Sequence, residues 1–299
     1  MREPLEGLAA ICDARRGLAP EAGTASSAAV APPVRFEWEA FHFGETQDLH
    51  GLLSGCGGPP AESAVLICPP LGQDRLRGHF ILQRLADRLA EAGIPSLRFD
   101  YYGCGDSMGE SADADCARWR RDILEAYGEL KRRAGAAKIT AVGARLAAPL
   151  LVEAARELDL AALVLWDPVC DGAAYWTEAA AAHEDLVGKW RRFFRPPPAA
   201  ESGVAELLGL TCRESAAAEI RALALAPAGL PPLPALRWLA TEDAPGQRRR
   251  FEALCAGRPG CRFEALDGDL GWNDVPRLGD LLPDLGVSRA LERLARERS

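Results

Sequence analysis

Histidine is scarce in this chain: among 299 residues only four occur, His42, His50, His79 and His183. Chemistry that moves protons through imidazole therefore has few places to reside. A basic surplus is missing as well. Lys and Arg number 35 against 43 Asp and Glu, a formal charge of -8 with both signs scattered, which argues against a face that gathers phosphate backbone and so against nucleic acid as a partner. No stretch approaches the roughly 18 uninterrupted apolar residues of a membrane-spanning helix, and the N-terminus has no compact apolar run ending in a cleavage site. The expectation is a soluble, cytoplasmic protein without a membrane span. Nine cysteines are present but no CxxC pair, and Cys255 and Cys261 stand too far apart, with no histidine nearby, for an ordinary zinc spacing. Reduced thiols are expected, with neither a metal nor a cofactor.

What is present is enough apolar material for one large core, 48% of the residues. Residues 1–33, rich in Ala, Pro, Gly and Ser, read as a flexible leader ahead of a single domain over 34–299. From Arg35 short alternating runs, Phe36-Glu37-Trp38-Glu39 and Leu49-His50-Gly51-Leu52-Leu53, flank the turn residues Gly44-Glu45-Thr46-Gln47 and predict an antiparallel hairpin. After Gly57-Gly58-Pro59-Pro60, apolar strands at Ala64–Cys68, Pro95–Phe99, Lys138–Val142, Ala162–Trp166, Leu236–Ala240 and Arg262–Leu266 alternate with helical patterns. That rhythm predicts an α/β fold with a mainly parallel, doubly wound sheet covered on both faces. It breaks between about 171 and 230, a stretch with helical runs, Pro196-Pro197-Pro198 and no convincing strand. We read this as a helical cap insertion placed above the carboxyl ends of the strands, where ligands bind in such sheets.

One segment carries the strongest functional signal. The strand Lys138–Val142 runs into Gly143-Ala144-Arg145-Leu146-Ala147 and then a helix through Pro149-Leu150-Leu151. Strand, turn of small residues and helix are the setting of the G-x-S-x-G nucleophile elbow, with Arg145 where the serine belongs and Ala147 where the closing glycine belongs.

On these residues the chain resembles the α/β-hydrolase superfamily, specifically the serine-aminopeptidase-like branch that includes the exosortase-system-associated hydrolases. Cys68-Pro69-Pro70-Leu71-Gly72 is similar to the family's oxyanion-hole segment, and Asp100-Tyr101-Tyr102-Gly103-Cys104-Gly105-Asp106-Ser107 to its D-x-x-G-x-G-x-S loop. Leu165-Trp166-Asp167-Pro168-Val169 resembles the strand and turn entering the cap, and Leu208-Gly209-Leu210-Thr211 a segment within it. The likeness covers about residues 35 to 297, and one group of exosortase-associated relatives has an elbow similar to G-x-R-x-G. It implies a pocket lined by Arg145, Leu146, Leu71, Gly72, Asp167, Tyr175 and Trp272.

The catalytic residues that the resemblance implies are largely missing. The family acid maps to Asp243, with Glu242 beside it, in the segment after Ala240. The family base, a histidine past the last strand, has no counterpart in Leu266-Asp267-Gly268-Asp269-Leu270-Gly271-Trp272-Asn273-Asp274. A guanidinium offers five donors and no acceptor and stays charged, so Arg145 can neither attack a carbonyl nor take a proton. Two roles remain open to it: binding a carboxylate or phosphate at the head of a helix, or pairing internally with Asp243, Asp106 or Asp274 to seal a disused pocket.

Other features weigh less. Gly103–Gly109 lacks the third spacing of a dinucleotide loop. Cys104 becomes a nucleophile only if His79 meets it in space; otherwise it is a small residue in a tight loop. Trp166, Tyr175, Trp176, Trp190, Phe193, Phe194 and Trp272 suit either a pocket under the cap or ordinary packing. The basic runs Lys189–Arg195 and Arg248-Arg249-Arg250 suit a partner or lipid contact, or solvated helix faces. The leading expectation is a catalytically degenerate protein that binds an anionic small molecule, an acyl group or a protein partner as a pathway accessory. The alternatives are an atypical hydrolase or acyltransferase with Arg145 as oxyanion stabiliser and Asp243 or His79 handling protons, and a structural subunit whose cap forms an oligomer face.

Overall fold

The computed structural model describes residues 38–55, 61–190, 203–266, 270–272 and 285–297. All lie in the compact unit Phe36–Ser299; the leader, Pro196-Pro197-Pro198, Phe193, Phe194 and Asp274 fall outside the described residues.

Eight strands form one sheet in the order β1-β2-β4-β3-β5-β6-β9-β10. They are β1 (Trp38–Phe43), β2 (Leu49–Ser54), β3 (Ser63–Cys68), β4 (Ser96–Asp100), β5 (Lys138–Ala144), β6 (Ala162–Trp166), β9 (Leu236–Ala240) and β10 (Cys261–Ala265). β2 pairs antiparallel with both β1 and β4, and every other pairing is parallel. Alternation along β3 shows why the sheet needs cover on both sides. Ala64, Leu66 and Cys68 face one core with helices α2 (Cys116–Ala134) and α3 (Ala147–Ala154), while Val65 and Ile67 face another with α1 (Asp74–Glu91) and α7 (Leu285–Arg296).

The helices follow local rules. In α1, Gly78, Ile81, Leu82, Leu85, Ala86 and Leu89 recur at three and four and are buried. In α2, the Asp115 carboxylate accepts from the Arg118 amide at 2.7 Å, and Gly135 at φ 58° ends the helix in the left-handed conformation. No helix among the described residues is long and apolar enough to cross a membrane.

Between β6 and β9 lie α4 (Gly172–Trp190), α5 (Glu214–Ala222) and, against expectation, a hairpin of β7 (Val204–Leu207) and β8 (Leu210–Arg213). Its strands are four residues each, too short to show a period. The signal that was there is the two-residue turn Leu208-Gly209, with both φ values positive, 45° and 77°, the hairpin turn whose twist matches its strands. The hairpin passes over the loop after β3, so that a side chain on Gly72 would lie 3.3 Å from Leu210 Cβ. Asp113 with Arg213, and the Cys116 amide with Glu219, tie the segment to the start of α2. The remaining helix, α6 (Ala244–Cys255), connects β9 to β10.

Candidate functional site

Arg145 sits at the turn between β5 and α3 with φ 53°, a left-handed conformation that costs a branched or bulky residue roughly 1–3 kcal/mol. The surroundings hold it there: its amide donates to the Trp166 carbonyl at 3.0 Å and its carbonyl accepts from Val169 and Ala148. The small residues before it are required by space. A Cβ on Gly143 would stand 2.8 Å from Leu151 and 3.3 Å from the Ala148 backbone, because α3 doubles back against the strand it leaves. Leu146 and Ala147 are buried under this turn. The elbow is thus built, with a cation at its tip.

That cation is answered from within. Arg145 Nε donates to Asp74 Oδ2 at 3.0 Å, and the two side chains are only 12% and 5% exposed. Asp74 opens α1 directly after Leu71 and Gly72, so the ion pair joins the elbow to the loop that the family resemblance assigns to the oxyanion hole. Neither Asp243 nor Asp106 makes this pair. Asp243 caps α6, accepting from the Gly246 amide, and Asp106 lies 3.9 Å from His50. Burial, the largest single effect, works against the charged guanidinium, but Asp74 foremost, together with Tyr175 and Asp167, holds Arg145 above the ordinary arginine range. Burial pushes the Asp74 carboxyl up, with Arg145 opposing it. Two rings cover the guanidinium: Tyr175 of α4 at 5.8 Å and Trp272 at 5.2 Å. Burial, and next the Asp74 charge, keep the Tyr175 phenol neutral.

Trp272 occupies the segment beyond β10, where the resemblance expects a histidine. Its indole Nε1–H donates to Asp167 Oδ2 at 2.9 Å. Asp167 ends β6 at φ 41°, is fully buried, and gathers donors from several elements. The Thr241 amide and the Gln247 side chain each donate to Oδ1 at 2.7 Å, and the Thr241 hydroxyl donates to Oδ2. Trp166 stacks edge-on against Trp272 at 5.0 Å and donates to Thr241 Oγ1. Asp167, Trp272 and Arg145 thus run in contact from carboxylate to indole to guanidinium, and an indole N–H has no lone pair to take a proton and a guanidinium has none to attack with.

The remaining candidates are dispersed. His79 lies on the exposed side of α1, where burial and the charges of Arg98 and Arg75 lower its basicity. Cys104, near Arg75 and Asp100, is pushed up to about 11 chiefly by burial, and no hydrogen bond joins it to His79. Alkylation followed by peptide mass mapping is expected to leave Cys104 largely unmodified at pH 8 and to accelerate only above about pH 10; rapid labelling at pH 7 would revive it as a nucleophile. The Ser107 hydroxyl, the one beside a histidine, is taken by the Asp100 carbonyl and by the backbone amide, not the ring, of His50. Of the aromatic residues, Trp166 is core, and Trp176 stacks with Arg221 at 4.9 Å. Sequence reasoning missed Asp74, Thr241 and Gln247. An acid opening the helix after the Leu71-Gly72 loop was the visible signal for Asp74; nothing marked the other two.

No family model matches the chain, and no curated protein matches it in sequence. Solved structures do. It is similar to the esterase Pf2001 of Pyrococcus furiosus, at 14% identity over 88% of this chain and 91% of that one, TM-score 0.58. Est1E from Butyrivibrio proteoclasticus, solved with ferulic acid, matches at 17% identity over 82% and 93%, TM-score 0.55. Mouse alpha/beta hydrolase domain-containing protein 10 matches at 15% identity over 86% and 99%, TM-score 0.51. At such identities the likeness speaks for architecture, and it agrees with the strand order and the elbow: the chain has the α/β-hydrolase fold.

Proposed function

We propose that this protein is a catalytically degenerate α/β-hydrolase-fold protein, an accessory that works by binding and not by acyl transfer. The observation that supports this reading most is the Arg145–Trp272–Asp167 array. The positions where the resemblance expects attack and proton transfer are taken by Arg145 and Trp272, which hydrogen-bond well there, to Asp74 and Asp167, and can perform neither step. Here Asp74 satisfies Arg145, and Asp167 satisfies Trp272, Thr241 and Gln247.

The same ion pair weighs against two sequence-based alternatives. An anionic ligand would have to displace Asp74 from Arg145, and an oxyanion would meet a guanidinium already committed to a carboxylate. The cap then serves to close the site, with Tyr175 over the pair and the β7–β8 hairpin over Gly72. The arginine elbow also keeps the resemblance to the exosortase-associated group in play, and with it a place in a biosynthetic or export pathway.

The test uses the whole chain. A fluorophosphonate probe is expected to label no residue, and p-nitrophenyl acetate and butyrate, with a matching thioester, are expected to hydrolyse no faster than with bovine serum albumin at equal concentration. Stoichiometric labelling of one residue, lost when that residue is mutated, overturns the proposal.

A further inference from the structure

The first two residues of α1 point their charges to different places. Asp74 turns to Arg145, whereas Arg75 reaches Asp100 at the end of β4, Nη2 to Oδ1 2.6 Å. On the Arg75 side a cavity of about 90 Å³ opens to solvent, with Leu52, Pro69 and Leu82 as its apolar walls. It lies on the α1 face of the sheet and shares no lining residue with the elbow.

Its polar rim carries two arginines and two aspartates, and only Arg75 and Asp100 form a close pair among them. Asp100 is compensated by Arg75. Asp106 is 82% exposed, with His50 Nδ1 3.9 Å from its carboxylate. Arg98, projecting from β4, is different. It is partly buried, its Nε is inaccessible to solvent and has no hydrogen-bond partner, and among the described residues no carboxylate comes within ion-pair distance. The Trp38 ring lies 5.5 Å from its guanidinium carbon. A guanidinium that no carboxylate pairs at close range keeps donor capacity toward the cavity, which an acceptor from outside can use. His79, on α1 across the cavity, experiences the same field, since Arg98 and Arg75 both act against its protonation. Asp87 and Asp100 act on Arg98 in the opposite direction, but at longer range.

A divalent cation is the competing occupant, because His50 Nδ1 lies 3.8 Å from Asp100 Oδ2 and 3.9 Å from Asp106 Oδ2. The charges weigh against it. Arg75 already holds Asp100, and Arg98 adds a second guanidinium to the same cavity.

We propose that this cavity binds a small molecule through an oxyanion, a carboxylate or a phosphate, that pairs with Arg98 and accepts from His79 while a short apolar portion rests on Leu52 and Leu82. The proposal stands on residues separate from the elbow and survives or fails independently of the reading given to Arg145.

Isothermal titration of the full chain at low ionic strength, with butyrate, butyl phosphate and butanol as probes, tests it. Saturable binding of one or both anions is expected, the tighter one naming the headgroup, with none of butanol. Arg98→Met should raise the Kd at least about tenfold, the usual weight of a charge-assisted hydrogen bond, while Arg84→Met on the exposed side of α1 leaves it unchanged. Should Arg98→Met fail to fold, His79→Ala, at an exposed position, is expected to weaken binding at least about threefold. Absence of saturable binding by both anions, equal affinity for butanol, or a Kd indifferent to Arg98→Met and His79→Ala overturns the proposal, as does saturable Zn²⁺ binding that is lost in His50→Ala.

Discussion

Replacing Asp74 with alanine is expected to destabilise the protein by about 3–5 kcal/mol, and Arg145→Ala by a similar amount, because each leaves its partner as an uncompensated charge in a nearly closed site. The signature is in the combination. In the double variant Asp74→Ala/Arg145→Ala neither orphan remains, so the total loss should fall short of the sum by about 2–3 kcal/mol. A volume-conserving pair, Asp74→Leu with Arg145→Met, should cost little, since buried ion pairs are often replaceable by apolar contact. Urea unfolding at pH 7 measures all four. Losses that add to within about 0.5 kcal/mol would mean that Arg145 and Asp74 do not depend on each other.

The second large effect belongs to Asp167. Asp167→Ala strips the acceptor from the Thr241 amide and hydroxyl, the Gln247 amide and the Trp272 indole at once. Buried donors left unsatisfied cost about 1–3 kcal/mol each without adding fully, and we expect a net loss of about 3–5 kcal/mol. Asp167→Asn keeps one acceptor oxygen and a residue at ease in the left-handed region, so about 1–3 kcal/mol is expected. Hydrogen exchange at the Thr241 amide should speed up markedly in Asp167→Ala and only slightly in Asp167→Asn. A loss under about 1 kcal/mol in Asp167→Ala would show that the network in the place of a triad contributes nothing to the fold.

These predictions rest on features of unequal visibility in the sequence. The sheet was readable because parallel strands buried on both faces are short continuous apolar runs, as in Ala162–Trp166, and because the elbow is a local event of strand, small residues and helix. Arg145 was conspicuous for the same reason: it interrupts a local pattern. Its partner was not, because an ion pair across 71 residues of chain leaves no periodic trace, and Asp243, Asp106 and Asp274 were equally plausible carboxylates on sequence grounds. The absence of a histidine past β10 was plain, whereas the structural role of Trp272 was not, since an indole reads as core wherever it stands. Only the convergence of β6, β9, α6 and the segment after β10 makes Asp167 an acceptor for four groups. The β7–β8 hairpin escaped notice because four-residue strands are shorter than the window in which alternation can be told from chance.

Proton-detected NMR of the arginine Nε–H groups, with Arg145→Lys to assign the signal, measures most directly whether the elbow cation is enclosed. The account predicts that the Arg145 Nε–H resonance exchanges slowly with water, does not move when butyrate or butyl phosphate is added to tens of millimolar, and shifts strongly in Asp74→Asn. A resonance that exchanges rapidly, or that titrates with either anion while remaining indifferent to Asp74→Asn, would contradict it and make Arg145 an open binding group.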